Sequence, residues 1–364
     1  MPCWSACCRG HARPADSTRC NRRGGRGPEP ANAWYRLRLA RLTRAPRAGV
    51  EHDRRRLLAP DLRGPTTTIT RIAAGLSGAG VYRVETAGQS FVLKIAGEAE
   101  NDADWRPALH IQRLAADAGL APRIVHVDEA RRAVLTAFVS DRSFGAFYGD
   151  PRTHEAALTQ LGRTVRRIHA LPLPADARMR EPREFLAQVW DGLLAGFALP
   201  DFVGDTVQRV LSENPPTRER ALVLGHNDLN PTNLVYDGEA ILILDWATAG
   251  PMDAYYDLAV LSVFLRMDEG TCMRLLSAYE GTRFAELPHR FTYTRRLAAA
   301  LAGSFQLHLA RQLKHAGATG EETLDSVPSL GEFYQRMRAG ALKLGTADGH
   351  WGFGLALLKD NLAR

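Results

Sequence analysis

GHNDLNPTN at 225–233, with Asp245 twelve positions beyond its last Asn in LDWATAG (244–250), decides how this chain is read. LVLGHNDLN is an apolar strand running into a polar loop, and Pro231 fixes the turn. LVYDGEAILILDW then forms a hairpin about the DG turn at 237–238. That hairpin returns Asp245 to the loop the chain has just left, so Asp228, Asn233 and Asp245 are expected to converge as oxygen donors. Such a donor set suits Mg²⁺ rather than a soft metal.

Upstream, TTTITRIA (66–73), VYRVET (81–86) and SFVLKIA (90–96) read as three strands, with GLSGAG (75–80) between the first two. Gly75, Gly78 and Gly80, with Ser77 among them, would let backbone N–H groups approach a polyphosphate. Alternation sets Val92, Lys94 and Ala96 on one strand face and Phe91, Leu93 and Ile95 on the other. Only four of the 47 basic residues are Lys, so Lys94 is not the habitual cation of this chain. A compact ammonium suits contact with phosphate oxygens, although a solvated edge lysine would look the same. DADWRPALHIQRLAADA (102–118) has helical spacing, with Gly119 as its C-terminal stop and Pro107 placing the start near Trp105 or Arg106. APRIVHVDEARRAVLTAFVS (121–140) adds two strands, giving five strands and one helix.

Beyond residue 140 the pattern turns helical. THEAALTQLGRTVRRIHALP (153–172) carries His169 on its inner face, where it reads as a satisfied core histidine. Further helical patterns cover 182–197, 203–213, 254–280, 290–317 and 330–344. The expected fold class is α+β: a small antiparallel β lobe with one helix (65–140) and a larger, mainly helical lobe (141–364).

The formal net charge of +7 is unevenly spread. Residues 1–64 hold 15 Arg and 5 acids, a net +10, whereas the remaining 300 hold 32 basic and 35 acidic residues, a net −3. Residues 1–64 therefore read as an Arg-rich disordered tail, and the acidic body argues against a nucleic-acid partner. NRRGGRG (21–27) lacks the apolar run of an export signal, and no stretch is long enough to span a membrane. Cys3, Cys7, Cys8 and Cys20 lack the paired spacing of a zinc site, and one Cys in the body fits a reducing, cytoplasmic setting.

Hard oxygen donors beside a phosphate cradle imply phosphoryl transfer, in which one carboxylate orients the attacking hydroxyl while an amide and a second carboxylate hold metal. Asp228 fits the first role, and Asn233 and Asp245 the second. HxDxxxxN (226–233), LDW (244–246) and YYDLA (255–259), with GLSGAGVYRV and LGRTVRRIHALP, resemble the aminoglycoside phosphotransferase and choline kinase group over about 66–345. The resemblance implies a bilobal protein-kinase-like fold using ATP and Mg²⁺. It also implies that Lys94 contacts ATP phosphates, that Asp228 is the catalytic acid residue, that Asn233 and Asp245 bind magnesium, and that Asp257 braces the catalytic loop beside His226.

Two positions depart from the group. Where a helix Glu would pair with the strand lysine, this chain has Ala108 or His110, leaving Asp104, Glu98 or Glu100 as substitutes. Choline kinases also tend to read DWE where this chain has Ala247. The LNPTN loop is nearer to the choline and thiamine kinase type, so the expected acceptor is the hydroxyl of an amino alcohol. The alternatives are an aminoglycoside-type acceptor and a kinase-like protein that binds nucleotide with little turnover. Trp190, Trp246, Tyr148, Tyr255, Asp253, Asp268 and Glu269 could line an acceptor site, though Trp and Tyr in a helical lobe also read as core.

Overall fold

The computed structural model describes residues 54–362 apart from 73–78, 98–99, 175–178, 180 and 219. Gly75, Ser77, Gly78, Glu98, residues 1–53 and their four cysteines therefore lie outside the described residues.

The smaller lobe is a five-stranded antiparallel sheet in the order β1-β2-β3-β5-β4. Its strands are β1 (Thr68–Arg71), β2 (Gly80–Thr86), β3 (Gln89–Ile95), β4 (Ile124–Asp128) and β5 (Ala133–Ala137). Helix α1 (Asp102–Asp117) connects β3 to β4. It starts earlier than Pro107 suggests, because the Asn101 side chain accepts the Asp104 N–H at 2.9 Å and caps the first turn. Pro107 sits inside the helix. Gly119, at φ +66°, follows the helix in the left-handed conformation that ends it.

One face of this sheet is apolar across β2, β3 and β5, and the other is mixed, with Arg83, Glu85 and Lys94 beside Val92 and Val134. Tyr82, Val84, Phe91, Leu93 and Leu135 share one face, where Tyr82 pairs with Leu93, Val84 with Phe91, and Leu93 with Leu135 across the strands. Leu57, Leu58 and Leu62 pack onto that face from two short 3₁₀ turns, Arg54–Leu57 and Pro60–Leu62. The expected tail boundary at residue 64 is thus corrected: residues 54–64 are folded and cover the sheet. Leu58 is fully buried, and Thr67 donates its hydroxyl to the Leu62 carbonyl at 2.7 Å. On the opposite face, Trp105 and Leu109 of α1 pack with Val134, beside Ala96.

The larger lobe contains α2 (Phe144–Gly149), α3 (His154–His169), α4 (Pro182–Leu194), α5 (Asp201–Ser212), α6 (Ala254–Phe264), α7 (Glu269–Glu280), α8 (His289–Gln312), α9 (Leu330–Arg338) and α10 (Ala347–Leu362). Two short ribbons lie between α5 and α6. The first pairs β6 (Val223–Gly225) with β9 (Gly250–Met252), and the second pairs β7 (Leu234–Tyr236) with β8 (Ile241–Ile243). The single helical run expected over 254–280 is two helices. The chain breaks at Arg266, φ +55°, and Asp268 restarts it by accepting the Thr271 N–H at 2.7 Å. Helix α10 was not expected at all. It lies against α8, where Gly303 and Gly354 let the two backbones meet: a Cβ at Gly303 would stand 3.1 Å from the Gly354 carbonyl.

Candidate active site

The site is built where the β6–β9 and β7–β8 ribbons empty into adjacent loops. Gly225 ends β6 under close contact, since a Cβ there would lie 2.9 Å from the Met252 Cβ and collide with the Asn227 side chain. Asn227 then turns the chain at φ +65°, a conformation costly for most side chains. Its backbone N–H donates to Asp257 Oδ1 at 2.7 Å, and its Nδ2 donates to the Thr248 carbonyl at 3.0 Å. The adjacent His226 N–H donates to Asp257 Oδ2 at 2.7 Å, so one carboxylate on α6 clamps the loop by two successive amides.

Asp257 is fully buried. Burial pushes its carboxyl upward, but the hydrogen bond and charge of His169 and the field and N–H of His226 outweigh this and hold it below its ordinary 3.8. His169 Nε2 lies 3.1 Å from Asp257 Oδ2, and its Nδ1 lies 2.8 Å from the Tyr279 hydroxyl. Burial pushes Tyr279 up to about 12, so it remains a hydroxyl. Both ring nitrogens of His169 are thus engaged, one by Tyr279 and the other by Asp257. His169 is therefore the satisfied core histidine expected, and it also holds the loop brace.

His226 joins the two halves of the site. Its Nε2 meets the Leu244 carbonyl at 3.0 Å, its Nδ1 accepts the Asp228 N–H at 3.3 Å, and its own carbonyl accepts the Thr248 hydroxyl at 2.9 Å. The Leu244 N–H in turn donates to the Asn233 carbonyl at 2.9 Å, which sets Asp245 one residue from the strand pairing that holds Asn233. Asp245 itself takes φ +59°, turning the chain out of β8 into a 3₁₀ turn over Trp246–Thr248.

Asp228 lies among amides. Asn233 Nδ2 donates to its backbone carbonyl at 2.8 Å and reaches its Oδ2 at 3.4 Å, while Asn230 Nδ2 reaches Oδ1 at 3.2 Å. Asn230 was not singled out from sequence. The only signal was its place two residues after Asp228, with Thr232 ahead to fix its rotamer: Asn230 Oδ1 accepts the Thr232 N–H at 2.9 Å.

Lys94 reaches this cluster from the other lobe, with its Nζ 2.6 Å from Asp245 Oδ1. The strand face that carries it is the one alternation assigned. Its ion-pair partner among the described residues is Asp245, 151 positions away, rather than any acid of α1. Gly80, the described member of the glycine loop, opens β2 opposite Ile95.

The remaining candidates mostly belong elsewhere. Trp190 and Trp246 are core residues, 3% and 2% exposed. Asp253 caps α6 through the Tyr255 N–H at 2.9 Å and pairs with Arg290 at 2.6 Å, and Asp268 caps α7. Tyr148 and Tyr255 are half-buried at the edge of the main core.

Magnesium donors can be tested on the same geometry. No group of three or more His, Cys, Asp or Glu is placed to hold a metal among the described residues. Mg²⁺ keeps waters and takes one or two protein oxygens beside substrate phosphates, so a smaller donor set suffices for it. Asn233 commits its Nδ2 to Asp228, leaving the amide oxygen as the end suited to a hard cation. No helix among the described residues is long and apolar enough to cross a membrane.

Solved structures share this architecture. A choline/ethanolamine kinase family protein from Mesorhizobium loti superposes with a TM-score of 0.54 at 22% identity, covering 83% of this chain and 96% of that one. Macrolide 2′-phosphotransferase type I gives 0.53 at 21% identity, covering 69% and 91%. An ethanolamine kinase from Plasmodium vivax gives 0.52 at 15% identity, covering 80% and 85%. These likenesses establish the bilobal fold. No curated protein matches the sequence. Residues 68–290, more than half of the chain and including every residue of the cluster above, match the model of the Phosphotransferase enzyme family, and the chain belongs to that family as a small-molecule phosphotransferase.

Proposed function

We propose that this chain is an ATP- and Mg²⁺-dependent kinase that phosphorylates a hydroxyl group of a small molecule, with an amino alcohol of the choline, ethanolamine or thiamine kind as the favoured acceptor. What supports this reading is that Asn233 hydrogen-bonds Asp228, that Asp245 directly follows Leu244, whose N–H donates to the Asn233 carbonyl, and that Lys94 reaches Asp245 from the opposite lobe. Asp228 would accept the hydrogen bond of the acceptor hydroxyl and align its oxygen for in-line attack on the terminal phosphate. Asn230 and Asn233 hold that carboxylate, so little reorientation is needed when the acceptor arrives. Lys94 would bind phosphate oxygens, and Asn233 and Asp245 would hold the metal. Bound Mg²⁺ would neutralise charge on the transferring phosphoryl group. His226, Asp257 and His169 keep the loops in register without touching the reacting atoms.

The acceptor preference rests on the LNPTN loop. Ala247 in place of a carboxylate, and the commitment of Asp253 to Arg290, leave the amino group of such an acceptor without an assigned partner. An aminoglycoside-type hydroxyl is the alternative. A coupled assay of ADP release over choline, ethanolamine, thiamine and aminoglycosides tests both. One amino alcohol should give turnover that Asp228→Ala lowers by about 10²–10⁴-fold while nucleotide binding persists. Nucleotide binding with no ADP release for any acceptor would leave a binding protein instead, and undiminished turnover in the variant would remove Asp228 from the mechanism.

A further inference from the structure

Asn227 carries two local costs. Its backbone sits at φ +65°, a conformation that glycine adopts freely and a residue with a side chain does not. Its amide oxygen is buried with no hydrogen-bond partner among the described residues. Turning the amide round would not help, because its Nδ2 faces two carbonyls, Thr248 at 3.0 Å and Gly250 at 3.4 Å. The oxygen is left over Gly225, where any Cβ would collide with it. Strained backbone and unpaired buried polar atoms persist only where the surrounding contacts over-determine them, and they concentrate at functional sites.

Those costs secure a link between two loops. Asn227 immediately precedes Asp228, and Thr248 and Gly250 follow shortly after Asp245. On the near side of Asp245, His226 Nε2 meets the Leu244 carbonyl at 3.0 Å; on the far side, the Thr248 hydroxyl donates to the His226 carbonyl at 2.9 Å. Asp245 therefore stands on a short arch, residues 244–248, whose two feet are both hydrogen-bonded to His226 and Asn227. It turns at φ +59°, so its direction depends on where the far foot is held. We propose that Asn227 is a positioning residue whose side chain sets the spacing between the loop that carries Asp228 and the arch that carries Asp245. The inference rests on the metal role of Asp245 given under Proposed function, and Asn227 itself touches neither metal nor reactant. Removing its amide loosens the far foot, and Asp245 then meets a divalent cation over a wider range of positions.

Asn227→Gly isolates the side chain, since glycine keeps the left-handed turn without strain. Asn227→Asp keeps the shape, but its carboxylate has no N–H to donate. The full chain, both variants and Asp245→Asn are compared by thermal melts, by hydrogen exchange of the ligand-free proteins, and by titration with a fluorescent N-methylanthraniloyl ADP with and without Mn²⁺. Asn227→Gly should melt near the unaltered chain and exchange faster in 244–250, but not in α6. It should lose between about twofold and tenfold of the tightening that Mn²⁺ gives to the nucleotide, the range of a single hydrogen bond, with affinity in the absence of Mn²⁺ unchanged. Asn227→Asp should lose more, because a carboxylate then faces two carbonyl oxygens. Unchanged exchange in 244–250, or unchanged tightening by Mn²⁺, overturns the proposal. Faster exchange spread over the whole large lobe also overturns it, since that marks a residue that only supports the fold. Should Asn227→Gly not fold, Asn227→Asp decides by the same two readings.

Asp245→Asn separates this proposal from the reading beneath it. If that variant loses the tightening by Mn²⁺ while Asn227→Gly keeps it, the metal reading stands and the positioning role falls. If Asp245→Asn keeps it, or if Mn²⁺ gives the unaltered chain no tightening, both fall.

Discussion

Asp257 is the residue on which the site depends most and which the chemistry touches least. Its carboxylate accepts the His226 and Asn227 amides at 2.7 Å each and faces His169 at 3.1 Å, all without solvent. Removing the charge leaves two strained-loop N–H groups and a histidine with a weaker acceptor. Asp257→Asn should therefore cost about 3–5 kcal/mol, the range for breaking a buried charged network from one side. The pH dependence has a definite sign. The folded-state pKa lies below the ordinary 3.8, so the stabilisation is present above that value and is lost as pH falls through the folded pKa. Denaturant unfolding of both proteins should show a constant stability gap from neutral pH down to about 4 and a narrowing gap below it; a gap that holds undiminished well into the acid range would show that this carboxyl is not depressed. Asp257 was legible in sequence only as a resemblance, because nothing in YYDLA says where its oxygens go. The pairing of Lys94 with Asp245 was not legible at all, since it spans 151 positions and depends on how the two lobes close.

At the scale of elements, periodicity carried the reading wherever one face of a strand or helix had to be buried. The β2–β3 hairpin, the β4–β5 pair and α3 are all close to where alternation or 3.6-residue spacing put them. Two elements escaped because their composition argued for something else. RRRLLAPDLR at 54–63 reads as tail by its charge, yet its three leucines are the lid on a sheet face that would otherwise expose Tyr82, Val84, Phe91, Leu93 and Leu135. The same strands gave the clue: Tyr82, Val84, Phe91, Leu93 and Leu135 make an apolar face on the side away from α1, and that face needed a cover of its own. Helix α10 (ADGHWGFGLALLKDNL) escaped because three glycines and apolar residues all round hide an amphipathic pattern. Those glycines serve packing: a Cβ at Gly354 would come 2.9 Å from the Gly303 carbonyl and 2.8 Å from Leu307. The leucine lid is directly testable. Leu58→Ala should lower stability by about 2–5 kcal/mol, and a chain starting at residue 63 should melt below one starting at residue 54. Equal melting temperatures for the two truncations would mean that the turns rest on the sheet without supporting it.

Across the whole molecule, the two lobes differ in how much core they own, and this asymmetry places the motion that the proposed chemistry needs. The sheet of the small lobe rests on two modest clusters, one under the leucine lid and one of Trp105, Leu109 and Val134 beneath α1, whose Ile111 and Ala115 pack instead into the main cluster of the large lobe. Its first strand, β1, is an edge strand of four residues whose side chains are mostly exposed. The large lobe instead has continuous clusters that run from α3 through the ribbons to α6 and α7, and from α4 through α8 to α10. Local opening free energy follows buried apolar contact, so the sheet should open at lower cost than the helical body. Hydrogen exchange read by mass spectrometry should show β1 amides exchanging first and those of α6 and the α8 core last. Adding Mg²⁺ and ADP stabilises whatever conformation binds them. Protection should then rise in β3 around Lys94 and in the loops at 226–233 and 244–250, and stay unchanged in α10, which lies against α8 and contributes none of the clustered residues. Protection that rises evenly over both lobes would mean the nucleotide stabilises the molecule as one unit. Protection confined to the large lobe would place the nucleotide away from Lys94 and remove the small lobe from the mechanism.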